Sequence, residues 1–159
     1  MIRYGQQDIT QADIDAVIAV LKSVNLTQGP AITQFEQSVI AHTGAKHAVA
    51  VSNATAALHI ACLALDLGPG DWLWTTPNTF VASANCGLYC GAQVDFVDTD
   101  PRTYNLCPVK LEEKLIAAEK AGKLPKIVVP VHLTGQPCDM VAIHALGQRY
   151  GFKIIEDAS

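Results

Sequence analysis

The sequence predicts an α/β fold, a three-layer αβα sandwich around a mostly parallel sheet, and two observations carry that prediction. Short apolar runs without polar alternation recur from residue 46 onward, the pattern of strands covered on both faces. Between them lie amphipathic stretches of helical period, so strand and helix alternate as in a chain of right-handed crossovers. Composition agrees: 50% of the 159 residues are hydrophobic and 16% charged, far from the balance that keeps chains disordered.

Residues 1–45 read as a helical arm that precedes the repeat. Thr10 is placed to cap a first helix, with Asp13 three residues on and Ile9 and Ile14 at the positions of a hydrophobic staple. Ile14, Val17, Ile18 and Leu21 then form one apolar face. After the turn-rich VNLTQGP (24–30), Ile32, Phe35, Val39 and Ile40 mark a second helix that Gly44 ends.

Residues 46–159 read as the main domain. HAVAVS (47–52) is expected as its first strand, followed by a helix over 54–65, a strand over 72–76, a helix over 79–90 and a strand over 93–98. After the loop DPRTYNLCP come a helix over 110–122, ended by Gly122, and a strand over 126–131. Pro130 removes a ladder donor from that strand, which should end or bulge there. A helix capped by Asp139 and ended near Gly151 leads to a last strand, FKIIE (152–156).

The formal net charge of −4 leaves no basic stripe to neutralise a phosphate backbone, so nucleic acid is not an expected partner. No apolar run approaches the 18 or so residues that cross a bilayer, and MIRYGQQDIT lacks the pattern of a signal peptide, so a cytoplasmic protein is expected. The five cysteines form no C-x-x-C pair, which argues against both a disulfide framework and a metal site.

In an open parallel sheet, ligands collect beyond the carboxyl ends of the strands. Three of the segments there carry candidate chemistry. SNAT (52–55) follows a predicted strand and opens a helix, so free N–H groups, the helix dipole and two hydroxyls suit an anion; the alternative is that Ser52 or Asn53 simply caps the helix. Phe80 begins the next helix, where its ring either lies against a planar ligand or packs ordinarily. Asp157 ends the last strand, and alternation puts Glu156 on the other face, which excludes a catalytic carboxylate pair. One acid then either caps a following helix or pairs with a cationic ring nitrogen.

An anion cradle, an aromatic and a strand-end Asp, in that order, resemble the large domain of the fold-type I pyridoxal-phosphate enzymes. ITQADIDAVIAVL, LTQGPAITQFEQSV, SNATAALHIACLAL, TPNTFVASANCGLYCGAQVDFVDTDPRTYN, VHLTGQPCDM and IIEDAS resemble the DegT/DnrJ/EryC1/StrS sugar aminotransferases, and within them the branch of the pseudaminic acid pathway. The resemblance implies pyridoxal 5'-phosphate as cofactor, with Asn53, Ala54 and Thr55 at its phosphate, Phe80 stacked on the ring and Asp157 at the pyridine nitrogen. Many relatives have Gly in place of Asn53, and Asn tolerates the left-handed conformation that Gly would supply. Tyr4, Thr27, Gln28 and Gly29 are implied near the substrate or a partner subunit, and His132 near cofactor or substrate, or in a supporting role bonded to backbone.

The resemblance further implies amination of a UDP-linked 4-keto-6-deoxy-N-acetylhexosamine, glutamate as donor, and a homodimer. None of the eight lysines lies in the motif of the family's Schiff-base lysine, which is expected beyond Ser159, and the chain reads as an N-terminal fragment without the end of the large domain or the small domain. The alternatives are an inactive fragment that binds a partner, a sugar dehydratase with histidine replacing the lysine, or a Rossmann oxidoreductase. The last would need a glycine fingerprint that SNATAAL does not supply.

Overall fold

The computed structural model describes residues 7–159. The chain divides into two units, Met1–Ala50 and Val51–Ser159.

The first unit holds α1 (Gln11–Leu21) and α2 (Pro30–Thr43). The predicted capping box forms: Asp13 N–H donates to the Thr10 hydroxyl at 3.4 Å, and Thr10 N–H donates to the Asp13 carboxylate at 2.7 Å. Those bonds from Thr10 hold the Asp13 carboxyl below its ordinary range. Proline opens α2, and Gly44 ends it in the left-handed conformation at φ 73°. Neither helix buries a residue, so Ile14, Val17, Ile18, Leu21 and Phe35 all stay exposed.

The strand expected over 47–52 does not form. A strand exists only where a neighbour about 4.8 Å away completes its ladder, and none of the four described strands pairs with this segment. The Ala50 N–H goes instead to the Glu36 carboxylate at 2.9 Å. The apolar run records β-propensity and says nothing about a partner.

The second unit is built on a parallel sheet whose order is β2-β1-β3-β4. Its strands are β1 (Trp72–Thr75), β2 (Gln93–Phe96), β3 (Ile127–Val129) and β4 (Lys153–Ile154). The helices are α3 (Ala54–Ala64), α4 (Ala82–Tyr89), α5 (Pro108–Ala121) and α6 (Met140–Tyr150). As expected, β3 stops before Pro130, Asp139 caps α6 by accepting from Ala142 N–H, and Gly122 and Gly151 end α5 and α6 left-handed. Among the described residues no helix is long and apolar enough to cross a membrane.

Strand alternation sorts the core into two layers. Leu73, Ile127 and Val129 pack with Leu58 and Cys62 of α3 and Ala82 and Cys86 of α4. Trp74 and Val128 pack on the other face with Leu111 and Leu115 of α5 and Ile143 and Leu146 of α6. The layer holding α4 is tight, since a Cβ on Gly87 would lie 3.0 Å from Val94 Cγ2 and 3.1 Å from Leu73 Cβ. A parallel sheet with helices on both faces is the predicted αβα sandwich.

Candidate functional site

Because the strands are parallel, the segments that follow β1, β3 and β4 meet at one edge of the sheet. Asp157 lies there. Its N–H donates to the Pro130 carbonyl and its carbonyl accepts from His132 N–H, both at 2.9 Å, so pairing with Val131 resumes beyond the proline. Ile155 packs into the layer of α3 and α4, and by alternation Asp157 points to the same face. There its side chain is buried at 5% exposure.

The Asp157 carboxylate meets only neutral donors. Ser83 hydroxyl donates to Oδ2 at 2.6 Å, and the N–H and hydroxyl of Ser159 donate to Oδ1 at 3.2 and 2.7 Å. A carboxylate offers about four acceptor positions, so about one is left, on Oδ2. Among the described residues no lysine, arginine or histidine forms an ion pair with it. A buried anion without a counter-charge is costly, and this donor set suits a ligand that brings one protonated ring nitrogen.

Ser83 belongs to the first turn of α4 and is itself fully buried. Its N–H donates to the Phe80 carbonyl at 3.2 Å, and its hydroxyl lies 2.9 Å from that of Thr79. Phe80 sits two residues ahead of α4, on the turn before the helix and not in its first turn, and its ring is 73% exposed. An exposed aromatic ring on a turn tied through Ser83 to the buried acid is available to a planar ligand. Sequence reasoning missed Ser83. A small polar residue three positions ahead of Cys86, at helical spacing on a core-facing stripe, was the available signal.

The expected anion cradle is the first turn of α3. Asn53 is its N-cap, accepting Ala56 N–H on its side-chain oxygen at 2.9 Å. The expectation that Asn53 stands in for a left-handed glycine is corrected: its φ is −169° and ψ 168°, extended backbone open to any residue. With Ala56 satisfied by the cap and Ala57 by the Asn53 carbonyl, the N–H groups of Ala54 and Thr55 have no protein acceptor among the described residues. Near the far end of the helix the Asp66 carbonyl accepts from Lys126, which precedes β3 at the amino edge of the sheet. An 11-residue helix spans about 16 Å, and its first turn therefore lies toward the edge that carries Asp157.

His132 has both ring nitrogens engaged within the chain. Nδ1 accepts Cys138 N–H at 3.2 Å, which leaves Nε2 to donate to Glu156 at 3.1 Å. One of these bonds is to backbone, as the supporting alternative expects. Glu156 is exposed on the face opposite Asp157, as alternation required. Thr27, Gln28 and Gly29 lie in the first unit on the loop into α2, with Gln28 left-handed at φ 51°. Tyr4 lies outside the described residues. No cluster of His, Cys, Asp or Glu suited to a metal occurs among the described residues.

Comparisons with known proteins identify the family. The chain is 45% identical over 156 residues to the spore coat polysaccharide biosynthesis protein SpsC of Bacillus subtilis, covering 98% of this chain and 39% of SpsC. It is 41% identical to a UDP-4-amino-4-deoxy-L-arabinose–oxoglutarate aminotransferase of Shewanella sediminis, covering 95% of the chain and 37% of the relative. It is 44% identical to a GDP-perosamine synthase of Caulobacter vibrioides, covering 82% and 34%. The chain thus spans less than two-fifths of the length of these curated relatives.

Among solved structures, Helicobacter pylori PseC, an aminotransferase of pseudaminic acid biosynthesis, superposes with a TM-score of 0.89 at 27% identity, covering 99% of this chain and 41% of PseC. The PLP form of the sugar aminotransferase Spr1654 from Streptococcus pneumoniae gives 0.84 at 27% identity, covering 99% and 39%. The profile of the DegT/DnrJ/EryC1/StrS aminotransferase family matches residues 7–159. Family profile, relatives and fold converge, and the chain belongs to the DegT/DnrJ/EryC1/StrS aminotransferase family.

Proposed function

We propose that this chain is the cofactor-anchoring part of a pyridoxal-phosphate aminotransferase acting on a nucleotide-linked 4-keto-6-deoxy sugar. The observation that carries the reading is Asp157: a buried carboxylate, bonded only to neutral donors, at the carboxyl edge of the sheet and linked through Ser83 to the turn that carries Phe80. Pyridoxal phosphate, when bound, supplies an electron sink and a carrier for an amino group. Asp157 then holds a proton on the ring nitrogen, Phe80 covers one ring face, and Asn53, Ala54 and Thr55 hold the phosphate through free N–H groups and a hydroxyl.

In this reading none of the eight lysines is the Schiff-base lysine, since none stands in the family's motif for it. His132 braces the edge through Cys138 and Glu156. We assign a UDP-linked 4-keto-6-deoxy-N-acetylhexosamine as acceptor and glutamate as donor, within a cytoplasmic homodimer. The likeness to PseC supports the acceptor, and the oxoglutarate in the name of the Shewanella sediminis relative supports the donor.

The test gives the intact protein glutamate, pyridoxal phosphate, and either a UDP-linked or a GDP-linked 4-keto-6-deoxy sugar. The expected result is 2-oxoglutarate release with an amino sugar made from the UDP substrate in preference. Product from the GDP sugar alone overturns the acceptor, and product from neither overturns the reading.

A further inference from the structure

We propose that Ser83 is a positioning residue for the cofactor: with Thr79 behind it, its hydroxyl aims the Asp157 carboxylate at the ring nitrogen and ties it to the Phe80 segment. The inference rests on the Asp157 site proposed above and adds a residue to it.

Ser83 Oγ lies 2.6 Å from Asp157 Oδ2, 2.9 Å from Thr79 Oγ1 and 3.3 Å from the Phe80 carbonyl. A serine hydroxyl has one hydrogen. The short contact to an anion takes it, because charge-assisted O–H···O⁻ bonds fall at this length and are the stronger kind. Thr79 must then donate to Ser83, and the Phe80 carbonyl is left to the Ser83 N–H at 3.2 Å. The result is a directed chain from Thr79 through Ser83 to Asp157, with every hydrogen pointing toward the carboxylate.

Two consequences follow from the site's geometry. Ser159 fills both positions on Oδ1, so Ser83 decides which side of Oδ2 stays open. Ser83 also joins two parts of the site that lie 74 residues apart in sequence, the acid after β4 and the turn that carries Phe80. Its donors are neutral, so it fixes the carboxylate without supplying the positive charge that the ring nitrogen would bring. A capping serine of the ordinary kind sits exposed ahead of a helix; this one is fully buried inside the first turn.

The experiment uses the intact protein with pyridoxamine phosphate labelled with ¹⁵N in the ring. Two readouts are taken, the dissociation constant by equilibrium dialysis and the ring ¹⁵N resonance. Ser83→Ala is expected to weaken binding by on the order of tenfold and to move the resonance toward that of the unprotonated ring. Ser83→Thr, which keeps the hydroxyl, is expected to restore both. Thr79→Val, a milder change at a half-buried site, is expected to give a smaller shift of the same sign, and it carries the test if Ser83→Ala fails to fold. An unshifted resonance in Ser83→Ala, or in Thr79→Val where that variant carries the test, overturns the inference while Asp157→Asn still moves it. If Asp157→Asn also leaves both readouts unchanged, the Asp157 site falls and the inference falls with it.

Discussion

Replacing Asp157 by Asn separates the acid's contribution to the ligand from its contribution to the fold. The carboxylate is 5% exposed and holds three hydrogen bonds, all from neutral groups. Asn keeps its shape. Its Oδ1 can still accept both bonds from Ser159, and its Nδ2 can donate to Ser83 Oγ, whose own hydrogen then turns to the Phe80 carbonyl at 3.3 Å. Every polar group retains a partner, and the buried negative charge is gone. Stability of the protein without cofactor is therefore expected to stay within about 1 kcal/mol of the parent or to rise, because an unpaired buried charge opposes folding. Cofactor affinity is expected to move the other way. A hydrogen bond to a charged group contributes about 1.5–3 kcal/mol, so pyridoxamine phosphate should bind roughly 10- to 100-fold more weakly. Urea unfolding and equilibrium dialysis on the same preparation measure the two quantities. A loss of stability of several kcal/mol with affinity untouched would refute the reasoning, since it would mean the charge was already balanced within the protein.

Three further perturbations probe the frame around the site. Gly87→Ala gains about 1 kcal/mol of helix propensity but forces a methyl to 3.0 Å from Val94 and 3.1 Å from Leu73, an overpacking cost of about 1–3 kcal/mol; net destabilisation in chemical denaturation is expected, and a more stable variant would contradict the close packing of α4. Asn53→Ala removes the acceptor of Ala56 N–H and should cost about 1 kcal/mol, whereas Asn53→Gly should cost only a few tenths because the backbone there is not left-handed; thermal melts of the two variants rank them. Lys126 beside Asp71 holds that carboxyl below its ordinary value of 3.8. A depressed carboxyl stabilises above its unfolded value and loses that contribution as pH falls through the folded one. Lys126→Met should therefore flatten the loss of stability below about pH 4, read from urea midpoints across the acid range.

Much of this architecture was legible because its signals are local. Thr10, Gly44, Gly122, Asp139 and Gly151 each cap or end a helix where the sequence placed them, since capping depends on neighbours within four residues. Strand alternation alone put Glu156 and Asp157 on opposite faces, and the structure exposes the first and buries the second. Segment 47–52 was misjudged for the opposite reason: a ladder needs a second strand, and no local pattern reports whether one is there. Asn53 was given a strained backbone by analogy with glycine, when its side chain simply accepts a hydrogen bond from a helix that starts beside it. Ser83 escaped notice because its partner lies 74 residues away, across a contact that only the folded sheet creates.

Pro130 interrupts the edge of β3, yet its carbonyl still receives the Asp157 amide, and His132 returns a bond to the Asp157 carbonyl. The amide and the carbonyl of the acid are thereby both held by one neighbouring segment, outside any regular strand. Its conformational entropy is given up when the chain folds and not when a small molecule arrives, so the free energy of that encounter is not reduced by ordering the backbone. A redesign aimed at a different ring system could therefore vary the side chain at 157 while inheriting an anchor that is already rigid.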